Sequence, residues 1–471
     1  MSLDTKIAES GSVVNAPSLE YSQKLFRHGT LQYQQVFPNT YGSPIALNAS
    51  QSQVTFNIPT SVFNLSKSYL MYTITLPASS TGGRYIWTPQ DVISEIQHIQ
   101  FYPQSSGQMM VDLDNLSNYS KIALKRNTSF ENYMTNDIQN RLYPSNVVNN
   151  VVPAIRNSTP ALAVAVPSSR NYNEPAYFSV GALATAVTYD VMLPLKNITD
   201  TIFMLDKNLY FGGALTYLKI YTQVLNKIAF QSASAAAPST AGVETYVTAG
   251  APAMSNLQLM LNVEIDPDVC ADVMRTVNGG GLSMIIPYPI SYKNSGQSTT
   301  QNITIQFDAG GGKSLNKVIH SIWDNSEAND LAYDCSNNPT GDGSATPQKV
   351  QQYQTQLNGM RIQNINLDCT AAGHYIDYLN IRDQLRGSVL SNRNIFQWNW
   401  HHCDNWDNFG PDYNQNKSTG NELVSGLPLG ETKALTWSFL GTVMNNAQYQ
   451  HYTWAIFTRK LTITNVGVTC V

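Results

Sequence analysis

Apolar and polar side chains alternate along most of the chain, in short stretches that mostly end at Pro, Gly, Asn or Asp. In residues 53–58 the apolar positions are Val54, Phe56 and Ile58, and in residues 257–265 every second residue is apolar. A period of two places the apolar side chains on one face of a strand. The pattern predicts strands at 53–58, 69–76, 93–102, 177–180, 188–195, 201–205, 215–225, 257–265, 283–292, 302–307, 315–323, 395–400, 435–440 and 451–464.

Two stretches have helical spacing instead. Residues 114–126 place Leu116, Tyr119 and Ile122 on one side of a helix that Asp114 can cap, and residues 371–390 form the second candidate. Residues 127–175 are rich in Asn and Pro and predict a long loop. Residues 1–30 are polar and weakly patterned, which predicts an arm that becomes ordered on contact with a partner.

A segment of small and polar residues, 231–254, lies at the middle of the chain. It has too few large apolar side chains to fold alone, so we interpret it as a linker or a long exposed loop. The strands on its two sides follow a similar order. Residues 69–77 are similar in pattern to 259–267, residues 95–105 to 315–326, and the closing strand 218–225 to 459–466.

Charged residues make up only 13% of the chain and the net charge is −4, whereas hydrophobic residues make up 42% and Tyr occurs 26 times. A surface of uncharged polar and aromatic groups favours contact with other protein, because few ions must lose their water. The same composition is also typical of secreted β proteins. No basic run is present to neutralise phosphates, which predicts that this chain does not bind nucleic acid directly.

The N-terminal residues lack the apolar core of a signal peptide, and no apolar run is long enough to cross a bilayer. The cysteines are odd in number, widely spaced and without a CxxC motif, which favours reduced intracellular thiols over a disulfide framework. They are Cys270, Cys335, Cys369, Cys403 and Cys470.

One stretch is superficially similar to a phosphate-binding loop. Gly310–Ser314 has the sequence GGGKS, but Phe307 stands where the motif requires its first glycine. The motif also needs a helix to follow, and residues 315–323 predict a strand. We therefore interpret the glycines as a flexible turn between strands.

Four neighbouring residues could bind zinc: His401, His402, Cys403 and Asp404. Adjacent residues of a strand point to opposite faces, so a complete site would need further ligands such as His374 or His451. The alternative is an aromatic patch, buried or at an interface, in which the histidines are hydrogen-bonded.

Two carboxylate pairs, Asp112 with Asp114 and Asp266 with Asp268, raise the question of glycoside hydrolysis or calcium binding. Each pair stands at a strand end, where Asp commonly serves as a turn residue. No GxSxG or HExxH motif is present. We predict no catalytic, cofactor-binding or metal-binding residue, and no enzymatic activity.

Two all-β halves with the strand pairs above, closed by residues 436–463 (TWSFLGTVMNNAQYQHYTWAIFTRKLTI), resemble the double-jelly-roll major capsid proteins of icosahedral double-stranded DNA viruses. The similarity is greatest to those of tailless phages, virophages and Polinton-like viruses. The long loop at 127–175 and the Trp-rich segment at 396–409 depart from a strict repeat.

The resemblance implies an all-β fold of two consecutive eight-stranded jelly rolls with short helices and long loops. The expected parts are an N-terminal arm at 1–30, a first jelly roll at 31–230, a linker or loop at 231–255 and a second jelly roll at 256–471.

The resemblance also implies a homotrimer that forms a pseudo-hexagonal block in a virion, assembled inside the host cell. Minor capsid or penton proteins, and an inner membrane or scaffold, are the implied partners, and no cofactor is implied. Two alternatives stay open at this stage. One is a viral spike or carbohydrate-binding β protein that stacks Trp398, Trp400 and Trp406 on sugars, and the other is a two-domain glycoside hydrolase or lyase.

Overall fold

The computed structural model describes most of the strand-forming parts of the chain. The described residues are 31–39, 44–47, 51–76, 85–89, 93, 95–104, 106–120, 177–182, 187–223, 230–232, 244–245, 253–293, 302–308, 314–324, 350–362, 367–368, 401–405, 426–441 and 449–470. The predicted arm at 1–30, the loop at 127–175, the strand at 395–400 and the helix at 371–390 lie outside them.

The first part of the chain folds almost entirely into strands. They are β1 (Leu31–Val36), β2 (Ile45–Ala46), β3 (Gln53–Ile58), β4 (Phe63–Leu76), β5 (Tyr85–Pro89), β6 (Ile96–Pro103), β7 (Val111–Asp114), β8 (Tyr177–Ala182), β9 (Val187–Pro194), β10 (Asn208–Leu209), β11 (Thr216–Thr222), β12 (Phe230–Ser232), β13 (Glu244–Thr245) and β14 (Ala253–Glu264).

A helix, α1 (Pro267–Gly279), separates these strands from the second set. The second set comprises β15 (Leu282–Lys293), β16 (Asn302–Phe307), β17 (Ser314–Asp324), β18 (Val350–Leu357), β19 (Met360–Arg361), β20 (Leu367–Asp368), β21 (His401–Asn405), β22 (Leu427–Pro428), β23 (Lys433–Gly441), β24 (Tyr449–Thr464) and β25 (Gly467–Cys470).

The antiparallel pairings build two sandwiches with the same strand order. In the first, sheet 1 has the order β9–β4–β14–β1 and sheet 2 the order β3–β11–β6–β7. In the second, sheet 3 has the order β21–β17–β24–β15 and sheet 4 the order β16–β23–β18–β19. Each sandwich uses its eight strands in the same sequence along the chain, and two four-stranded sheets of this kind form a jelly roll. The fold is therefore all-β, with two consecutive jelly rolls.

Shorter strands extend these sheets, and a fifth sheet is built from excursions of the first jelly roll. Sheet 5 has the order β8–β5–β12–β13. Its strands come from three separate connections: β4 to β6, β7 to β9, and β11 to β14. The strand ends that these connections join all lie at one end of the sandwich.

The segment at 231–254 does not join the two jelly rolls. It begins within β12, contains β13 and ends in β14, and β14 lies between β1 and β4 in sheet 1. The predicted boundary at residue 256 falls inside β14, a strand that is paired with the first sandwich. We propose instead that the chain passes from one jelly roll to the next through α1.

The strand equivalences predicted between the two halves are wrong. The stretch at 69–77 falls in β4 and the stretch at 259–267 in β14, and these strands are neighbours in one sheet rather than counterparts in two. By topology the counterpart of β4 is β17, that of β6 is β18, and that of β11 is β23. Alternation is common to all half-buried strands, so the pattern alone cannot identify which strand is which.

Two local predictions are corrected. Residues 201–205, predicted as a strand, form a 3-10 turn at Ile202–Met204, because the Thr201 side chain accepts a hydrogen bond from the Phe203 amide and caps the turn. The second is α1, a helix that was not predicted after the strand at 257–265. Asp266 is its N-cap and accepts hydrogen bonds from the Asp268 and Val269 amides at 2.9 and 3.2 Å. The predicted helix at 114–126 is present over residues 116–120, and the rest of it lies outside the described residues.

Alternating burial holds each sandwich together. In β11, Leu218 and Ile220 are fully buried, while the alternating side chains of Tyr217, Lys219 and Tyr221 are half-exposed. In the second sandwich Trp437, Phe307 and Phe457 fill the interior. Each large apolar side chain buried in this way contributes about 1.5–3 kcal/mol. Among the described residues, no helix has the length and apolar character needed to cross a membrane.

Candidate assembly interfaces

The outward face of sheet 3 packs on the first jelly roll. In β24, Phe457 points into the second sandwich, whereas Trp454 and Ile456 join the core of the first one. The Trp454 ring lies 5.7 Å from the Tyr119 ring, centroid to centroid. Beside it, the Asn115 amide donates to the Ser291 hydroxyl at 3.3 Å. The apolar core of the first jelly roll therefore continues onto the outward face of sheet 3, while the interior of the second sandwich forms a separate apolar cluster.

A buried ion pair crosses this contact. The Lys317 ammonium on β17 lies 2.7 Å from Asp200 Oδ1, and the two side chains are only 3% and 1% exposed. The Tyr119 hydroxyl donates to Asp200 Oδ2 at 2.7 Å. Because both carboxylate oxygens have a partner, the Asp200 charge is compensated where water is excluded.

The backbones of the two jelly rolls also meet closely. Gly212 has a φ of +62°, and a Cβ at this position would overlap the Thr464 carbonyl oxygen. The Cys470 amide at the end of the second jelly roll donates to the Gln108 side chain of the first. These contacts fix the two sandwiches as one block.

No described residue covers the outward face of sheet 1, in contrast to that of sheet 3. Its Tyr33 and Tyr69 rings meet edge to face at 5.3 Å, and the Gln35 and Gln258 amides are hydrogen-bonded. Burial and the nearby Tyr33 hydroxyl raise the pKa of Tyr69. Tyr33 is 47% exposed, and Phe37, directly after β1, is 64% exposed. This surface has the uncharged, aromatic character of a protein contact.

A second group of exposed apolar side chains lies at the β19 edge of sheet 4. Met360 in β19 is 73% exposed, and Ile362, which follows it, is 42% exposed. The β18–β19 turn places Asn358 at a φ of +49° and Gly359 at +78°, and a tight turn of this kind directs Met360 away from the sandwich.

The carboxylate pairs have structural partners. Asp112 accepts from the His98 ring at 2.6 Å and from the Gln100 amide at 3.1 Å. The His98 hydrogen bond, more than the opposing effect of partial burial, lowers the pKa of Asp112. Asp266 caps α1 as described above. In neither pair do the two carboxylates face each other across a cleft in the way that glycoside hydrolysis requires.

The four residues considered as zinc ligands lie in β21, whose backbone pairs with β17 so that His402 is opposite His320 and His401 opposite Ser321. His374 lies outside the described residues. Among the residues whose side chains are described, no group of three or more His, Cys, Asp or Glu could hold a metal ion. That His401, His402, Cys403 and Asp404 bind no metal stays a prediction.

A buried histidine pair stands next to β21, and the sequence had indicated only one of its members. The His320 ring stacks on Trp437 at 4.3 Å and shares a 2.6 Å hydrogen bond with Thr453. His451 Nδ1 lies 3.4 Å from His320 Nε2. Burial lowers the pKa of His451 to about 3, so this imidazole is neutral at physiological pH.

The glycine-rich stretch is followed by a strand, as predicted. β17 begins at Ser314 and continues to Asp324, so no helix N-terminus is available there to bind a phosphate. Residues 309–313 lie outside the described residues.

The sequence does contain a signal for the helix α1 that was missed. Asp followed by Pro is a common way to begin a helix, and this pair occurs at Asp266–Pro267.

Solved structures of viral capsids share this fold. A chain of the PBCV-1 virus capsid aligns with a TM-score of 0.54 at 10% identity, covering 94% of this chain and 97% of that one. The Faustovirus major capsid protein aligns with a TM-score of 0.51 at 10% identity, covering 98% and 96%. A chain of the Sputnik virophage aligns with a TM-score of 0.52 at 11% identity, covering 94% and 89%.

No protein family defined by sequence matches the chain, and no curated protein sequence matches it either. The likeness is therefore one of fold. It confirms the double-jelly-roll architecture that the resemblance implied.

Proposed function

We propose that this chain is the structural major capsid protein of an icosahedral double-stranded DNA virus. It self-associates into pseudo-hexagonal homotrimers that tile the virion shell. The observation that carries the proposal is the repetition of one strand order in two jelly rolls of a single chain. The shared fold of the PBCV-1 capsid and the Faustovirus major capsid protein supports it.

Three copies of a two-jelly-roll chain supply six similar blocks. Such blocks fill a hexagonal outline, and hexagons can tile a closed shell with other proteins at the vertices. This use requires that the two jelly rolls keep a constant orientation, which the apolar contact between them and the Lys317–Asp200 pair support. No reaction is involved, because assembly rests on symmetric association of folded subunits. The chain acts without a cofactor and is not an enzyme.

The two ends of the block have different roles in this proposal. Sheet 5 and the neighbouring loops, including 127–175 and the segment at 231–254, form an outer tower or contact adjacent capsomers. The arm at 1–30 precedes β1 and lies at the base of the shell. There it contacts an inner membrane, a scaffold or minor capsid proteins, and penton proteins occupy the vertices. The chain itself does not bind the genome.

Purification and imaging of the full chain test the proposal. We expect a stable trimer by mass photometry and a hexagonal outline in negative-stain micrographs. A monomer that binds glycans on an array would overturn the capsid proposal and favour a carbohydrate-binding protein. Turnover of a polysaccharide, abolished by a single Asp or Glu substitution, would favour an enzyme.

A further inference from the structure

The helix α1 follows β14 of the first jelly roll, precedes β15 of the second, and rests on the protein along one side. Val277 is its fully buried residue, and the Cys270 thiol donates to the Glu264 carbonyl oxygen at 3.3 Å. Just after the helix, Gly281 lies so close to Thr464 of β24 that an added Cβ would come within 3.0 Å of that side chain. The side of α1 that carries Cys270 and Val277 is therefore its inner side.

The opposite side of α1 is exposed and acidic. Asp268, Ala271 and Arg275 are exposed and follow each other at helical spacing. The Asp272 carboxylate, on the same side, lies 3.1 Å from the Arg275 guanidinium. Together with Asp266 at the N-cap, this side has three carboxylates and one guanidinium, so its charge is negative. We call Asp268, Ala271, Asp272 and Arg275 the outer face of α1.

The chain enters β1 beside the start of this helix. Leu31 is the cross-strand partner of Glu264, and Ile265 and Asp266 then lead into α1. The chain before Leu31 therefore leaves sheet 1 within about 15 Å of Pro267. The helix is about 20 Å long, and residues 19–30 can span about 40 Å when extended. They are long enough to lie along all of α1.

The residues that precede β1 have the complementary charge. Residues 19–30, LEYSQKLFRHGT, contain Lys24 and Arg27 against Glu20, and Leu25 and Phe26 stand between the two cations. Residues 1–18 contain one cationic side chain and two carboxylates. The positive charge of the arm is thus concentrated next to β1, where the acidic helix lies.

We infer that residues 19–30 bind along the outer face of α1 in the same copy of the chain. Arg27 then faces Asp268, and Lys24 faces the next turn of the helix. Leu25 and Phe26 contact Ile265, which is 49% exposed beside the start of α1. Surface charge pairs are weak alone, but the short connection to β1 gives these residues a high effective concentration at the helix.

The inference goes beyond the proposed function, because it concerns the single chain and does not require the trimer. Residues 1–18 remain for the contacts proposed at the base of the shell. The inference assigns residues 19–30 the additional task of covering the helix that links the two jelly rolls.

The first experiment measures amide hydrogen exchange of the full chain in solution. Arg27→Glu places a carboxylate opposite Asp268, and we expect exchange in residues 267–279 to become about fivefold faster. Lys6→Glu is the matched control, because it makes the same type of charge reversal outside residues 19–30. It should exchange like the wild type.

The decisive comparison repeats Arg27→Glu in a chain that also carries Asp268→Lys. There the new carboxylate meets a cation, so Arg27→Glu should slow exchange in residues 267–279 instead of accelerating it. The change of sign separates the pair from any effect of either substitution alone on the helix. The inference is overturned if Arg27→Glu has the same effect in both backgrounds, or no effect in either.

Carbodiimide crosslinking tests the position of the arm. The reagent joins the Lys24 amine to a contacting carboxylate as an amide, and mass spectrometry should find Lys24 linked to Asp268 or Asp272 within one chain. Lys24→Arg keeps the charge but cannot form the link, so the link should disappear while hydrogen exchange stays as in the wild type.

Two crosslinking results would overturn the inference. A link found only in covalent dimers would show that the arm binds a neighbouring copy, and the absence of a link from Lys24 to either carboxylate would show that it binds elsewhere. Mass photometry of the wild type measures the trimer separately. A monomeric wild type would overturn the proposed function and leave this inference standing.

Discussion

The Lys317 ammonium and the Asp200 carboxylate lie 2.7 Å apart, in different jelly rolls, and both side chains are almost completely excluded from water. Removing two charges from water is costly, and their mutual attraction offsets that cost only when the geometry is good. The Tyr119 hydroxyl binds the second oxygen of Asp200, which satisfies that condition. The pair therefore specifies how the two jelly rolls meet.

Removing one partner should be strongly destabilising. Lys317→Met leaves the Asp200 charge buried, and we expect the free energy of unfolding in urea to fall by about 3–5 kcal/mol. Lys67→Met is the matched control, because Lys67 pairs with Asp206 at the surface, where the side chains are 44% and 57% exposed. An exposed pair contributes at most about 1 kcal/mol. Equal losses in the two variants would contradict a role for the buried pair.

The double variant Lys317→Met with Asp200→Leu tests whether the loss of stability comes from the unpaired charge. Without either charge, no unpaired ion remains in the core, so we expect the double variant to be more stable than Lys317→Met alone. A double variant that is less stable than Lys317→Met would show that the loss comes from packing rather than from the uncompensated carboxylate.

Gly212 is required because the backbones of the two jelly rolls are too close there to leave room for a side chain. Ala at this position would place its Cβ against the Thr464 carbonyl oxygen, closer than any normal contact, and the positive φ of +62° adds strain. Gly107 has the same φ of +62°, but a Cβ added there would have no atom within 4 Å. We therefore expect Gly212→Ala to be about 2 kcal/mol more destabilising than Gly107→Ala in urea unfolding. Equal losses would mean that only backbone strain matters.

Strand positions could be predicted from the sequence to a large extent. The predicted strands at 53–58 and 302–307 coincide with β3 and β16, since both have a clear apolar alternation. The assignment of strands to jelly rolls could not be predicted in the same way. It depends on pairings between distant residues, such as β1 with β14, that leave no local mark on the pattern.

The interfaces were even less accessible from the sequence. Lys317 and Asp200 are far apart in the chain, and neither stands in a motif. The exposed residues of β1 form no apolar alternation, because the face they occupy is not covered by any described residue. The helix α1 was missed for a different reason. Pro267 follows an alternating strand and also begins a helix, and it was interpreted only as the end of the strand.

The neutral state of buried His451 should make stability depend on pH. Burial lowers its pKa from 6.5 to about 3, so between these values the unfolded chain binds a proton that the folded chain does not. The resulting stability is fully present above pH 6.5 and is lost as the pH falls towards 3. From pH 6.5 to 5, we expect the wild type to lose about 2 kcal/mol more than His451→Gln.

Urea unfolding of both proteins at several pH values measures this difference. Above pH 7 the gap between the wild type and His451→Gln should be constant, which serves as the internal control. A gap that does not change between pH 6.5 and 5 would show that the folded protein protonates His451 as readily as the unfolded chain does.

The first turn of α1 should depend on Asp266. The only fully buried residue of this helix, Val277, lies near its C-terminal end, whereas the Asp268 and Val269 amides of the first turn donate hydrogen bonds to Asp266. Asp266→Ala removes the acceptor and should cost about 1 kcal/mol. Because the helix can open locally, we expect faster amide hydrogen exchange in residues 267–279 and little change in sheets 1 to 4. Asp266→Asn keeps an acceptor oxygen and should exchange almost like the wild type, whereas equally fast exchange in both variants would show that the charge, not the cap, stabilises α1.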